Sequence, residues 1–235
     1  MNRVESFIPL VSFLAGVLGK NTEVVLHDLR TPDNSIVAIE NGHVSGRKTG
    51  GPLTDLVLKV IQDGSYKEKD YLVNYISYVK GNRRCRSSSF FIKDEVGEIV
   101  GLLCINMDVS AWEQSRELIT QMIFGFQEEQ GITENQKDQE SNSNKISTQY
   151  SQQHNQGVFE NLQETVEDVL ISMIDKVLVE FDITPERMSV EEKMEVVRRL
   201  HDQGLFLLKG GVNELSKKMK VSEATVYRYL SKVKE

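Results

Sequence analysis

The decapeptide VSEATVYRYL, Val221 to Leu230, carries residue types that can read a nucleic acid. At helical spacing, Val226, Tyr229, Leu230 and Val233 fall on one buried stripe, which leaves Glu223, Ala224, Thr225, Tyr227, Arg228 and Lys232 on the other side. Ser222 is placed to cap this helix. The preceding stretch GGVNELSKKMK predicts a second helix with Val212, Leu215 and Met219 inward, and the pair has the form of a helix-turn-helix. In that motif the start of the second helix reaches base edges, while the first helix and flanking lysines meet phosphates. The expected assignments are therefore Thr225, Tyr227 and Arg228 near the bases of double-stranded DNA, and Lys217, Lys218 and Lys232 near its backbone. Arg228 is the sharpest candidate, because its planar fork matches the O6 and N7 acceptors of guanine. A small helical domain with an ordinary charged face has the same spacing. Lys220 stands where the tight turn often uses glycine, so it either adopts a left-handed conformation or the turn is wider.

A second group of polar residues lies on apolar strands, as a ligand pocket requires. In RSSSFFIKD and GLLCINMD these are Ser87, Ser89, Cys104 and Asn106, with Arg86 and Asp108 at neighbouring positions near the strand ends. A hairpin register symmetrical about KDEVGE opposes Phe91 to Val100, Ser89 to Leu102, Ser87 to Cys104 and Cys85 to Asn106, all on one face. It makes Cys85 and Cys104 diagonal neighbours about 7–8 Å apart, too far for a disulfide without a shift. The loop NGHVSGRKTGGP adds His43 and Arg47, which could close over a carboxylate or phosphate, although it lacks the spacing of the common phosphate-binding loops. Hydrogen bonding within the fold is the plainer reading for each of these residues.

The elements that must position these groups can be read from periodicity and charge. Strand-like alternation appears in EVVLHDL, SIVAIENGHV, YLVNYISYV, CRSSSFFIKD and EIVGLLCINMD, with a helical pattern at Leu53, Leu56, Val57, Val60 and Ile61. The expected architecture is α+β, an antiparallel sheet with helices on one face. QEEQGITENQKDQESNSNKISTQYSQQHNQ, Gln127 to Gln156, is too polar to bury a core and reads as a tether. Phe159, Leu162, Val166, Val169, Met173, Val177 and Phe181 then predict one amphipathic helix, suited either to pairing with a second chain or to packing on its own domain. Ser189 and Glu192 have capping-box spacing, and Gly204 can end the helix they start. The net charge of −7 sits mainly in the middle, since residues 126–184 hold 3 basic and 12 acidic residues, whereas 185–235 hold 11 and 8. The domains read as 1–125, a linker over 126–157, and a helical region over 158–235.

Catalytic and metal chemistry find little support. The four histidines, His27, His43, His154 and His201, are scattered without metal-ligand spacing, and the serine run Ser87 to Ser89 has no base close in sequence. Two cysteines cannot build a disulfide framework. The apolar run in MNRVESFIPLVSFLAGVLGK is too short to span a bilayer and reads as a buried helix without a signal peptide, so the expected compartment is a reducing cytoplasm.

Four stretches in order, GRKTGGPLTDL, RSSSFFIKD, GLLCINMD and FLLKGGVNELSKKMKVSEATVYRYL, resemble the YheO-like PAS-domain transcriptional regulators, the D-arginine utilisation repressor-like family. The resemblance covers both domains and not the linker. It implies a PAS-like antiparallel sheet domain joined by a linker to an all-α helix-turn-helix domain, in a regulator of transcription that senses a small molecule; the Phe159 to Phe181 stripe adds the expectation of a homodimer or higher homo-oligomer. Glu223 stands where relatives are expected to carry a basic residue, and Ser89 where many have threonine. PAS-like domains can hold haem or flavin, with His27 or His43 as conceivable axial ligands, but the expectation is no tightly bound cofactor. The competing reading is a small-molecule-processing enzyme built on the PAS-like domain, with the helical end serving association.

Overall fold

Strand β1 (Thr22–Asp28) is buried along its whole length, so the sheet that contains it is covered on both sides. In the computed structural model, residues 3–124, 159–162, 165–181 and 183–233 are described. The sheet also contains β2 (Ile36–Glu40), β3 (Tyr71–Val79), β4 (Arg83–Lys93), β5 (Ile99–Asp108) and β6 (Phe159–Asn161), in the order β2-β1-β5-β4-β3-β6. The first five strands pair antiparallel, and β6 joins the free edge of β3 in parallel. Helices lie on both faces rather than on one. On the first face α1 (Ile8–Leu18) packs Val11 and Ala15 against Val24, Leu26, Ile92 and Leu103. On the second, α2 (Asp55–Asp63) brings Val57, Leu58 and Val60 to Val25, Phe91, Leu102 and Cys104. Much of α1 stays outside the core, with Phe13 and Val17 62% and 66% exposed.

The β4–β5 register differs by two residues from the symmetrical one. Phe91 opposes Leu102, Ser89 opposes Cys104, Ser87 opposes Asn106 and Cys85 opposes Asp108, with a bulge between Ile92 and Lys93. The turn is closed by Asp94 N donating to Glu98 O at 2.8 Å. Because the side-chain period is two, this shift moves partners along the strands without exchanging faces. It carries Cys85 four positions from Ser89, the partner of Cys104, or about 13 Å along the strand. Both cysteines are free and buried, and burial pushes each thiol up to about 12.

The expected continuous helix from Phe159 is instead β6 followed by α4 (Val166–Val179), whose start is capped by the Thr165 hydroxyl. Leu162 turns into a small cluster with Val44, Val79 and Cys85. Val169, Met173 and Val177 are buried within the chain's own core, so the stripe packs internally. The expected linker, 126–157, lies outside the described residues. The last three helices are α5 (Val190–Asp202), opened by the Ser189–Glu192 capping box, α6 (Gly211–Met219) and α7 (Glu223–Val233). Their core, with Val196, Val197, Leu200, Leu215, Met219 and Val226, is continuous with that of α2. Gly204, left-handed at φ +81°, sits so close to α2 that a Cβ there would lie 2.8 Å from the Leu58 carbonyl oxygen.

Candidate functional site

Alternation along the strands places Glu23, Val25 and His27 of β1 beside Asn106, Cys104 and Leu102 of β5, on the face that α2 covers. On the same face β4 contributes Ser87 and Ser89, and β3 contributes Tyr75 and Ser77. A bulge between Leu72 and Tyr75, with Asn74 at φ +58°, sets the aim of Tyr75. Opposite Ser77, β6 supplies Glu160. The result is a polar layer inside an apolar core. Tyr75 Oη lies 2.8 Å from Ser89 Oγ, which donates to Cys104 Sγ at 3.1 Å, and Ser77 and Ser87 share a bond of 2.5 Å.

The centre of this layer is a buried ion pair. Arg47 Nη2 donates to Glu23 Oε1 at 2.6 Å, with the two side chains 1% and 0% exposed. Ser45 donates to the other Glu23 oxygen, and Asn106 Nδ2 donates to Oε1 at 2.9 Å. Burial works against the Arg47 charge, but the Glu23 carboxylate outweighs it and holds the guanidinium above its ordinary pKa. His27, whose Nδ1 lies 2.8 Å from Ser35 Oγ, is held well below its usual value by burial and by Arg47. Glu160 accepts from the Thr54 hydroxyl at 2.5 Å, and burial pushes its carboxyl above the usual range even though Thr54 and Arg47 favour the charged form.

The start of α2 ties this layer to the helices. Thr54 caps α2 while holding Glu160. Asp55 accepts from Asn161 N at 3.0 Å and Asn161 Nδ2 at 2.8 Å, and from Lys176 Nζ on α4 at 2.5 Å.

Of the ligand candidates, Arg47, Ser87, Ser89, Cys104 and Asn106 come together here. Arg86 occupies an outward strand position and donates to Met107 Sδ at 3.4 Å. Asp108 pairs with Arg83 at 2.5 Å and accepts from Ser110 N, at the head of α3 (Ser110–Phe124). His43 is exposed and lines an open groove with Ile39, Gly42, Gly46 and Lys48. Sequence reasoning missed Glu23, Ser45, Thr54, Tyr75 and Glu160. Period two along β1 carried a signal for Glu23, whereas nothing local marked Glu160.

In the helical end, Lys220 takes the left-handed conformation at φ 52° and ψ 46°, so the turn between α6 and α7 is tight. Tyr227 is 56% exposed, Arg228 is exposed with its guanidinium over the Tyr229 ring at 5.6 Å, and Thr225 is half-buried with its hydroxyl 2.9 Å from that of Ser222. Lys217 is exposed and pairs with Glu214 at 2.5 Å, and Lys218 is engaged by Asp175 on α4 at 2.6 Å. No ion pair is made by Arg228 or Lys232 among the described residues.

A PAS domain followed by a helix-turn-helix is the build of a DNA-binding transcriptional regulator with a sensory domain. Residues 2–124 match the YheO-like PAS domain and residues 169–231 an HTH domain. The chain belongs to the YheO-like PAS-domain family. It is similar to an uncharacterized protein of Haemophilus influenzae, 24% identical over 99% of this chain and 91% of that one. It is also similar to the uncharacterized protein YheO of Escherichia coli K12, 25% identical over 98% and 85%. The transcriptional regulator DauR of Pseudomonas aeruginosa is 24% identical over 99% and 95%. Among solved structures, the PAS domain of the fruit-fly ELK potassium channel aligns over 43% of this chain and 97% of its own, with a TM-score of 0.28 and 24% identity.

Proposed function

We propose that the PAS domain of this regulator binds a small molecule at the Glu23–Arg47–Asn106–Glu160 layer and thereby changes how the helix-turn-helix engages double-stranded DNA. The observation that carries this reading is the position of Glu160, which belongs to the polar layer yet stands only a few residues before α4. A ligand that touches Glu160 differently in two states shifts the population of those states, and with it DNA affinity. In this reading Thr225, Tyr227 and Arg228 meet bases, and Lys217 and Lys232 meet phosphates, with Lys218 joining them where Asp175 releases it. The chain works in the cytoplasm and without catalytic turnover, its sensor serving binding alone. It acts as a homodimer, which places two recognition helices on successive half-sites. The apolar side chains Trp112, Leu118, Ile119, Met122 and Ile123 of α3 are all more than half exposed and supply the self-association surface, in place of the internally packed stripe of α4. No helix among the described residues is long and apolar enough to cross a membrane.

The test begins with selection of the preferred duplex by the full-length chain. Arg228→Ala should then weaken binding by about 1–3 kcal/mol and relax preference at one base position, whereas Lys232→Ala should weaken it uniformly and lower the salt slope by about one. Unchanged affinity and footprint for Arg228→Ala at fixed salt would remove that residue from the interface.

A further inference from the structure

We propose that Glu223 is a specificity-determining residue of the helix-turn-helix, selecting cytosine at one position of the DNA site, with Asn213 as its positioning residue. This goes beyond the assignment of Thr225, Tyr227 and Arg228 to bases and rests on the DNA-binding reading above. Glu223 is the first residue of α7, exposed on the same face as Tyr227 one turn further on. In a helix-turn-helix, residues at the start of the second helix are the ones that reach base edges. The tight turn at Lys220 fixes where that start lies relative to α6. Helix capping does not use the Glu223 side chain, because Thr225 N donates to the Ser222 hydroxyl at 3.2 Å. Instead Asn213 on α6 donates through Nδ2 to Glu223 Oε1 at 2.8 Å, and Oε2 accepts no hydrogen bond among the described residues.

Charge sets this carboxylate apart from its neighbours. Glu214, Asp175 and Glu186 each pair with a lysine of α6 or its turn, namely Lys217, Lys218 and Lys220. Glu223 makes no ion pair among the described residues. A carboxylate that faces DNA without a cation is repelled by the phosphates, and a hydrogen bond from a base offsets that cost. The groove then decides which base. An ionised carboxylate only accepts, and the donors in the major groove are the N4 amino group of cytosine and the N6 amino group of adenine. Adenine carries its N7 acceptor beside that amino group, which suits an amide side chain that donates as well as accepts and repels a carboxylate. Guanine and thymine present acceptors at O6, N7 and O4. Cytosine, with a donor and no acceptor of its own, is the base that fits glutamate. The Asn213 bond holds one oxygen and leaves the other for the base, so less side-chain freedom is lost on binding. A glutamate at a helix start also interacts favourably with the helix dipole, but that effect is indifferent to DNA sequence.

The experiment is selection of duplexes from a randomised pool by the full-length protein at fixed salt, for the native chain and for Glu223→Ala, Glu223→Gln, Asn213→Ala and Arg228→Ala, each checked for folding by circular dichroism. The native site should hold one position where cytosine is preferred at least about five-fold over each other base, the scale of one mismatched pair. Glu223→Ala should lose that preference, keep those at other positions and bind unrelated duplex more tightly, since a negative charge is gone. Glu223→Gln, nearly isosteric, should turn the preference from cytosine to adenine, whose N6 and N7 an amide engages together, and it keeps the test decisive if alanine unsettles the helix start. Asn213→Ala should weaken discrimination at that position alone, which a loss of stability would not do. A cytosine preference intact in both Glu223 variants, or adenine preferred there by the native chain, overturns the assignment. If Arg228→Ala relaxes one position while the Glu223 variants change none, DNA recognition by α7 stands and the role of Glu223 falls. If the full-length protein selects no duplex at all, both fall together.

Discussion

Arg47→Met isolates the energetics of the buried pair, because methionine keeps most of the side chain's bulk and removes its charge. In the native chain Glu23 is fully buried and receives Arg47 Nη2 at 2.6 Å, while Arg47 Nε donates to Ser45 Oγ at 3.2 Å. The substitution leaves the Glu23 carboxylate inside the sheet with Ser45 and Asn106 as neutral partners and without its Arg47 ion pair. Breaking one side of a buried ion pair costs about 3–5 kcal/mol, far more than a surface pair. For a chain of this size that corresponds to a melting point lower by about 6–20 °C. Urea unfolding followed by circular dichroism measures it, and the companion Glu23→Gln/Arg47→Met double variant should recover at least about 2 kcal/mol, since the stranded charge is gone. A loss below about 1 kcal/mol for the single variant, or double-variant effects additive within about 0.5 kcal/mol, would refute the argument that charge pairing holds this layer together.

Two further outcomes follow from the same structure. Gly204→Ala places a Cβ 2.8 Å from the Leu58 carbonyl oxygen at φ +81°, so it should loosen the helices from α2 and speed proteolysis or hydrogen exchange of α5, and unchanged protection would contradict that packing. Stability should also carry opposed pH dependences from two buried groups. His27, with its folded pKa well below 6.5, stays neutral while the unfolded chain binds a proton, so its contribution is lost as pH falls below about 6.5, and His27→Gln should flatten that loss. Glu160, with its folded pKa raised, keeps its proton longer in the folded chain, so its contribution is lost as pH rises from about 4.3 through the folded value. Urea midpoints for the native chain, His27→Gln and Glu160→Gln between pH 4 and 7 separate the two signs.

How much of this was legible in the sequence depended on whether the signal was local. Alternation gave four of the five antiparallel strands nearly to their observed ends, with the second expected to Val44 where β2 stops at Glu40, and Ser189 with Glu192 gave the start of α5, because both patterns are set by neighbours a few residues apart. The β4–β5 register was not legible, since a bulge at Ile92 and Lys93 leaves no compositional mark. Its error was even, so Ser87, Ser89, Cys104 and Asn106 kept their face, while Arg86, one residue out of phase, points away. Glu160 was out of reach for a different reason. Its spacing among Phe159, Leu162 and Val166 suits a helix, and only pairing with β3, whose Ser77 lies more than eighty residues earlier in the chain, makes it a strand residue. That long-range pairing also explains why a carboxylate from the far side of a polar stretch is buried beneath α2. Once Glu160 occupies the sheet, Asn161 and Lys176 meet Asp55 at the head of α2, and the polar layer and the DNA-binding helices share one set of contacts. A change in the Glu160 environment therefore has a short physical route to α4, through two residues of strand and a single carboxylate, with no need for rearrangement across the whole sheet.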